Sequence, residues 1–137
     1  MYVIMLGAPG AGKGTQADIL SQETDLPHIA SGDLFRRALE ERSGVGLLAK
    51  KYMDKGELVP DGVTVKMIME RIDQPDCVSG CIFDGFPRTL QQAKVLDEAL
   101  GEEGKNIDRA IYIEVPNEEL VKRLSGRWLC RRCQTPY

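Results

Sequence analysis

Residues Gly7–Gln16 read "GAPGAGKGTQ". Gly7, Gly12 and Lys13 stand at the spacing of a phosphate-binding loop, G-x-x-x-x-G-K, which normally closes with Ser or Thr. Here Gly14 follows the lysine, and the hydroxyl comes one place later, at Thr15. The run before the loop, "YVIML" (Tyr2–Leu6), is apolar throughout, as a strand buried on both faces requires. The residues after it, Thr15 to Glu23, place Ala17, Ile19 and Leu20 at helical spacing. Strand, glycine turn and helix form the context in which such a loop holds phosphate. Backbone N–H groups turn inward, the helix N-terminus adds a positive dipole end, and Lys13 supplies a mobile charge.

Short apolar runs alternate with helical patterns along the rest of the chain. "PHIAS" (Pro27–Ser31) is extended. Asp33 to Asp54 carries apolar positions at helical spacing, broken at "SGVG" (Ser43–Gly46), which predicts two or three short helices. Asp61 is the expected N-cap of a helix reaching Ile72. "CIFDG" (Cys81–Gly85) is a second buried strand ending in a turn, and a helix follows over Thr89–Leu100. "RAIYIEV" (Arg109–Val115) is another strand, stopped by Pro116, and Asn117 caps a helix to about Leu124. Strands separated by helices predict an α/β fold, a parallel sheet with helices on both faces. Ligands in such folds sit at the carboxyl ends of the strands. Gly7–Thr15, Ser31–Gly32 and Asp84–Arg88 each follow a strand and are therefore expected to converge on one site.

A chain of 137 residues is long enough for one modest domain with its own core. A hydrophobic fraction of 42% and a charged fraction of 28% are those of an ordinary soluble globular protein. The net charge is -3, and no run of Lys and Arg can track a nucleic-acid backbone, so nucleic acid is not expected as a partner. A small anion gripped by a few placed arginines fits this balance better. No apolar stretch approaches the ~20 residues that span a bilayer, so no membrane partner is expected. "MYVIMLG" lacks the basic lead and small-residue cleavage site of a signal peptide, which makes the cytoplasm the expected compartment. The four cysteines are Cys77, Cys81, Cys130 and Cys133. In a reducing compartment they are not a disulfide framework. Cys77 and Cys81 read as buried small apolar residues and His28 as a structural side chain, whereas Cys130 and Cys133 in "CRRC" have metal-ligand spacing.

"GAPGAGKGTQ" resembles the loop of adenylate kinases and their nucleoside-monophosphate kinase relatives, in which Gly follows the lysine and Thr comes next. The resemblance implies the P-loop nucleoside-monophosphate kinase fold. It also implies Mg with ATP, the ion held largely by phosphates and water, so that no hydroxyl need follow the lysine directly. Gly10, Ala11, Gly12, Lys13, Gly14 and Thr15 would then contact ATP. "SGDLFRR" (Ser31–Arg37) is similar to the family's monophosphate-binding segment, with Ser31 and Arg36 on AMP. A hydroxyl can hydrogen-bond the nucleotide while a guanidinium grips phosphate oxygens in pairs. The family more often has Thr where Ser31 stands, a difference that keeps the hydroxyl. "GELVPD" (Gly56–Asp61) resembles the loop closing the AMP pocket, with Glu57, Leu58 and Val59 against base and ribose. "FDGFPRTLQQA" (Phe83–Ala93) is the most specific match after the loop. There Asp84 would order magnesium-bound waters, Gly85, Phe86 and Pro87 shape the approach to Arg88, and Arg88 holds the AMP phosphate facing the donor. Gln92, one helical turn on, would read the adenine edge.

"RLSGRWLCRRC" (Arg123–Cys133) resembles the start of the mobile lid that closes over ATP. The resemblance makes Arg127 a lid arginine on the ATP phosphates, catalytic together with Lys13 and Arg88. It places Arg123 near the adenine, Trp128 in lid packing, and Pro136 and Tyr137 in an ATP-contacting pair. Cys130 and Cys133 look like the first half of the zinc knuckle of long-lid members: a structural zinc takes four ligands and C-x-x-C supplies two. The implied division is 1–29 as core with the loop, 30–59 as an AMP-binding helical insert, 60–125 as core and 126–137 as the start of the lid. The chain is thus expected to be the N-terminal part of a monomeric ATP:AMP phosphotransferase, incomplete at its C-terminus. ATP and AMP would be converted reversibly to two ADP. One rival is a UMP or CMP kinase, against which stand the cysteine-bearing lid and Thr89 after "GFPR", where pyrimidine kinases usually show Asn. The other is a nucleotide-binding module without turnover.

Overall fold

The computed structural model describes residues 1–41, 44–53, 55, 57, 59–126 and 128. In chain order the elements are β1 (Tyr2–Gly7), α1 (Lys13–Thr24), β2 (His28–Ala30), α2 (Ser31–Glu40), α3 (Gly44–Met53) and α4 (Asp61–Ile72). A 3-10 turn (Pro75–Cys77) leads to β3 (Cys81–Asp84), α5 (Leu90–Glu102), β4 (Ile107–Ile113) and α6 (Asn117–Ser125). The four strands form one parallel sheet in the order β2-β3-β1-β4. Among the described residues this is the expected α/β architecture, and its alternating residues explain the unbroken apolar runs. Val3, Met5 and Ile82 face Ala17, Leu20 and Leu26 on the α1 side. Tyr2, Ile4, Ile29 and Phe83 face Ile68, Ile72, Leu96 and Leu100 of α4 and α5 on the other. A strand covered on both faces has no polar side to show.

Several boundaries differ from the sequence expectation, each for a local reason. Helix α1 opens at Lys13 rather than Thr15, because Gly12 takes a left-handed turn and its carbonyl already accepts from Gln16 N–H at 3.0 Å. Asp61 is the first helical residue of α4 rather than its cap. Pro60, with φ -51 and ψ 138, occupies the cap position, and its carbonyl accepts from Val63 and Thr64. Pro116 does the same for α6, ahead of Asn117. Proline's fixed φ suits the extended cap, and its own missing N–H costs the helix nothing there. Ser31, read as the end of an extended piece, opens α2, and the expected break at Ser43–Gly46 contains the first turn of α3. Strand β4 runs over 107–113 instead of 109–115: Asp108 Oδ2 accepts from Tyr2 N–H at 2.7 Å, and pairing with β1 stops at Gly7 opposite Ile113.

Cys77 and Cys81 are free and fully buried, as read from the sequence. Burial pushes both thiols up from their ordinary range. A separate small cluster, Phe35, Ala49 and Val59 with Tyr52, Val63 and Met67, holds α2 and α3 against the start of α4. That places the α2–α3 pair beside the carboxyl ends of β2 and β3.

Candidate active site

Three strand ends supply the site. Beyond β1 the loop turns through left-handed Gly10 and Gly12, and Ala11 N–H donates to Ala8 O at 3.1 Å. The N-terminus of α1 opens on the loop with no acidic residue in its first turn, so its dipole is left to attract an anion. Lys13 arches back over the loop and donates from Nζ to Ala8 O at 3.1 Å. Thr15 is exposed on the same turn. From the far side Arg123 of α6 reaches the loop, its Nη1 3.5 Å from Gly10 O, while Nε donates to Glu119 at 3.0 Å.

Asp84 ends β3 next to this loop, and its contact with Gly14 explains the displaced hydroxyl. A Cβ on Gly14 would lie 3.3 Å from Asp84 Oδ2, closer than the carboxylate accepts without moving. A Ser or Thr directly after the lysine would press on that oxygen. A carboxylate beside a phosphate loop is an all-oxygen donor of the type a hard cation takes, so the residues fit magnesium. On its other side Asp84 faces His28. His28 Nδ1 contacts Asp18 Oδ1 of α1 at 2.7 Å, and the buried Nε2 faces Asp84 Oδ2 at 3.5 Å. That second separation is an ion-pair distance, and Nε2 has no tighter hydrogen bond among the described residues. The Asp84 carboxylate first, and Asp18 after it, hold the imidazole above its ordinary pKa against the opposing effect of burial.

At the third position β2 runs directly into α2. Ser31 Oγ donates to Gly85 O at 2.9 Å. Arg88 Nε donates to the same carbonyl at 2.7 Å, and Arg88 Nη2 comes within 3.5 Å of Ser31 Oγ. Gly85 must be glycine: its φ is 71, and a Cβ would sit 3.1 Å from Ser31 Oγ and 3.3 Å from Arg88 Nη2. These residues, Gly32, Glu57 and Gln92 line one pocket above Phe35, Val59 and Phe86. Phe86 packs edge-on to Phe83 with ring centroids 6.5 Å apart, which anchors the turn carrying Arg88. The Phe86–Pro87 peptide is cis.

Gln92 is buried, and much of its amide is already engaged. Its Oε1 accepts from Arg88 N–H at 2.7 Å, and its Nε2 donates to Asp61 Oδ1 at 2.7 Å. Thr89 Oγ1 accepts from Gln92 N–H at 3.1 Å. This is a T-x-x-Q capping box in which the glutamine reaches Arg88 instead of the cap residue. Gln92, expected to read adenine, therefore also fixes the backbone of Arg88. Asp61 enters the site only through this bond; the sequence pointed to it as a cap, and no periodicity signals its partner.

Not every expected residue joins the pocket. Arg36 pairs with Asp33 one turn earlier and lines the neighbouring cleft with His28, Asp33 and Arg37. Trp128, expected in lid packing, is exposed. Leu58, Arg127, Cys130, Cys133, Pro136 and Tyr137 lie outside the described residues. Among the described residues no group of three or more His, Cys, Asp or Glu side chains is arranged to hold a metal, and no helix is long and apolar enough to cross a membrane.

The chain has similar relatives among known proteins. It is 55% identical over 138 residues to an adenylate kinase of Dehalococcoides mccartyi, a match covering 100% of this chain and 64% of the relative. An adenylate kinase of Carboxydothermus hydrogenoformans is 53% identical over 137 residues, and one of Staphylococcus aureus 51%, both with the same coverage. The chain thus spans a little under two thirds of the length of these relatives. The sequence pattern described as Adenylate kinase matches residues 5–132, so with the loop at β1, the acid at β3 and the Ser31–Arg88 pocket in place, the chain belongs to the adenylate kinase family.

Proposed function

We propose that the protein catalyses reversible phosphoryl transfer from ATP to AMP, giving two ADP. The observation that carries this reading is the placement of two anion-gripping sites at adjacent strand ends. Lys13 and the α1 N-terminus follow β1; Arg88 and Ser31 meet across the turn after neighbouring β3. Phosphoryl transfer gives the protein little covalent work, so positioning and charge neutralisation are what it must supply. Lys13 and the loop amides hold the β- and γ-phosphates of ATP, with Gly10, Ala11, Gly12, Gly14 and Thr15 forming the cradle. Arg123 and, in the lid, Arg127, Pro136 and Tyr137 close the ATP side. Arg88 directs the AMP phosphate at the donor. Ser31, Gly85, Phe86, Pro87, Glu57, Leu58, Val59 and Gln92 shape the AMP pocket, and Arg36 meets the nucleotide after leaving Asp33. Asp84 would order the water shell of a magnesium ion bound with ATP, which would supply neutralisation of the phosphate charge.

The same reading divides the chain into core (1–29 and 60–125), AMP-binding insert (30–59) and lid start (126–137). Cys130 and Cys133 would supply two of the four ligands of a structural zinc. A monomer working in the cytoplasm completes it, consistent with the absence of a membrane-crossing helix among the described residues.

A coupled assay with AMP, CMP, UMP and GMP tests the proposal. It is run on this chain and on the chain extended by the C-terminal third of the Dehalococcoides mccartyi relative. AMP-dependent ADP formation by the extended chain is expected. Lys13→Met should lower it by a hundredfold or more, since one preorganised charge lost at the transferred group costs about 3 kcal/mol. A preference for CMP or UMP points to the pyrimidine kinases; nucleotide binding without turnover in the extended chain points to a binding module.

A further inference from the structure

We propose that His28 is a positioning residue for the Asp84 carboxylate, locking it to helix α1 through Asp18. The proposal rests on the reading of Asp84 as the acid that orders the water shell of magnesium. Three elements meet at this side chain. His28 opens β2 opposite Ile82, so that its ring and Asp84, two residues along β3, share the sheet face covered by α1. Asp18 stands on α1 five residues beyond Lys13 and fixes Nδ1 at 2.7 Å. With that nitrogen committed, Nε2 is aimed at Asp84 Oδ2, 3.5 Å away and buried. Gly14 approaches the same oxygen, from which even a Cβ would lie only 3.3 Å.

Oδ2 therefore lies within reach of both the imidazole and the first turn of α1. The arrangement ties the helix carrying Lys13 to the acid across the loop, so both charges move as one unit. A carboxylate that orders metal-bound water needs such a partner, because its rotamer sets where the water sits. Among the described residues the His28 imidazole is the side chain paired with the Asp84 carboxylate.

The experiment uses the chain itself, whose single histidine gives one pair of imidazole nitrogen signals. In 15N spectra, Asp84→Asn should shift the Nε2 signal and leave Nδ1 nearly unmoved; an unchanged Nε2 overturns the contact. The second readout is the Mg dependence of ATP binding. His28→Leu should weaken the gain in ATP affinity that Mg confers by about three- to tenfold. His28→Gln, whose amide reaches the Nε2 position, should restore it. His28→Asn, whose amide reaches only the Nδ1 position, should keep the tie to α1 and the fold without restoring it. A purely structural histidine would show the reverse order, with Asn the better replacement, and that result overturns the proposal. If Asp84→Asn leaves the Mg dependence intact, the reading of Asp84 itself is wrong. If Asp84→Asn abolishes it while His28→Leu does not, the reading stands and the positioning role fails.

Discussion

Gly14 and Asp84 carry the clearest single-residue argument. A helix position normally gains from Ala over Gly by up to about 1 kcal/mol. Here the added methyl would meet Asp84 Oδ2 at 3.3 Å, and the carboxylate is backed by His28 and cannot retreat freely. Gly14→Ala should therefore leave the melting temperature unchanged or slightly raised while lowering Mg-dependent transfer in the extended chain on the order of tenfold. Thermal melts beside initial rates check this, and full activity in a stabilised variant would contradict the close approach. The motif alone showed that the hydroxyl was late; the structure shows Asp84 Oδ2 standing against the vacated position. His28 belongs at the same scale. Its partners lie 10 and 56 residues away in sequence, on a helix and on another strand, so no local pattern could have announced them.

Helix α4 and the turn after it illustrate how elements are closed. Arg71 in the last turn of α4 grips both oxygens of Asp76, at 2.8 and 2.6 Å, and its Nη1 also donates to Cys77 Sγ at 3.0 Å. The guanidinium holds the Asp76 carboxyl below its usual pKa. A carboxylate depressed in the folded state stabilises above its unfolded value, about 3.9, and that contribution is lost as pH falls through the folded value. Because Asp76 is half exposed, the pair is worth no more than about 1 kcal/mol. Asp76→Ala should lower the unfolding free energy by that much at pH 7, and the difference from the parent should vanish in acid. Urea titrations at pH 7 and at successive steps into acid measure it; a difference that does not shrink as pH falls would assign the loss to something other than charge. Element existence was legible from apolar runs bounded by Gly and Pro, which mark the well-covered β1 and β3 as well as β4, largely exposed at the sheet edge. The ends were less so, because Pro60 and Pro116 cap their helices through backbone geometry rather than through the polar side chains that follow them.

Across the whole molecule, the placement of loops after strands foretold the convergence of Gly7–Thr15, Ser31–Gly32 and Asp84–Arg88, and the sheet order brings the last two together directly. What the sequence did not contain is the hydrogen bonding that links them. Ser31 and Arg88 share the Gly85 carbonyl, and Gln92 joins Arg88 to Asp61. Arg36, equally prominent as a motif residue, is held instead by Asp33. The central claim is that two nucleotide sites face each other, with Lys13 serving the donor and Arg88 the acceptor. The most direct test measures ADP formation against AMP concentration at saturating Mg·ATP for the extended chain and its Arg88→Ala variant, with ATP affinity measured alongside. Arg88→Ala should lower kcat/KM for AMP on the order of a hundredfold and leave ATP affinity unchanged. A variant that binds ATP weakly while using AMP normally would show that the two sites are exchanged.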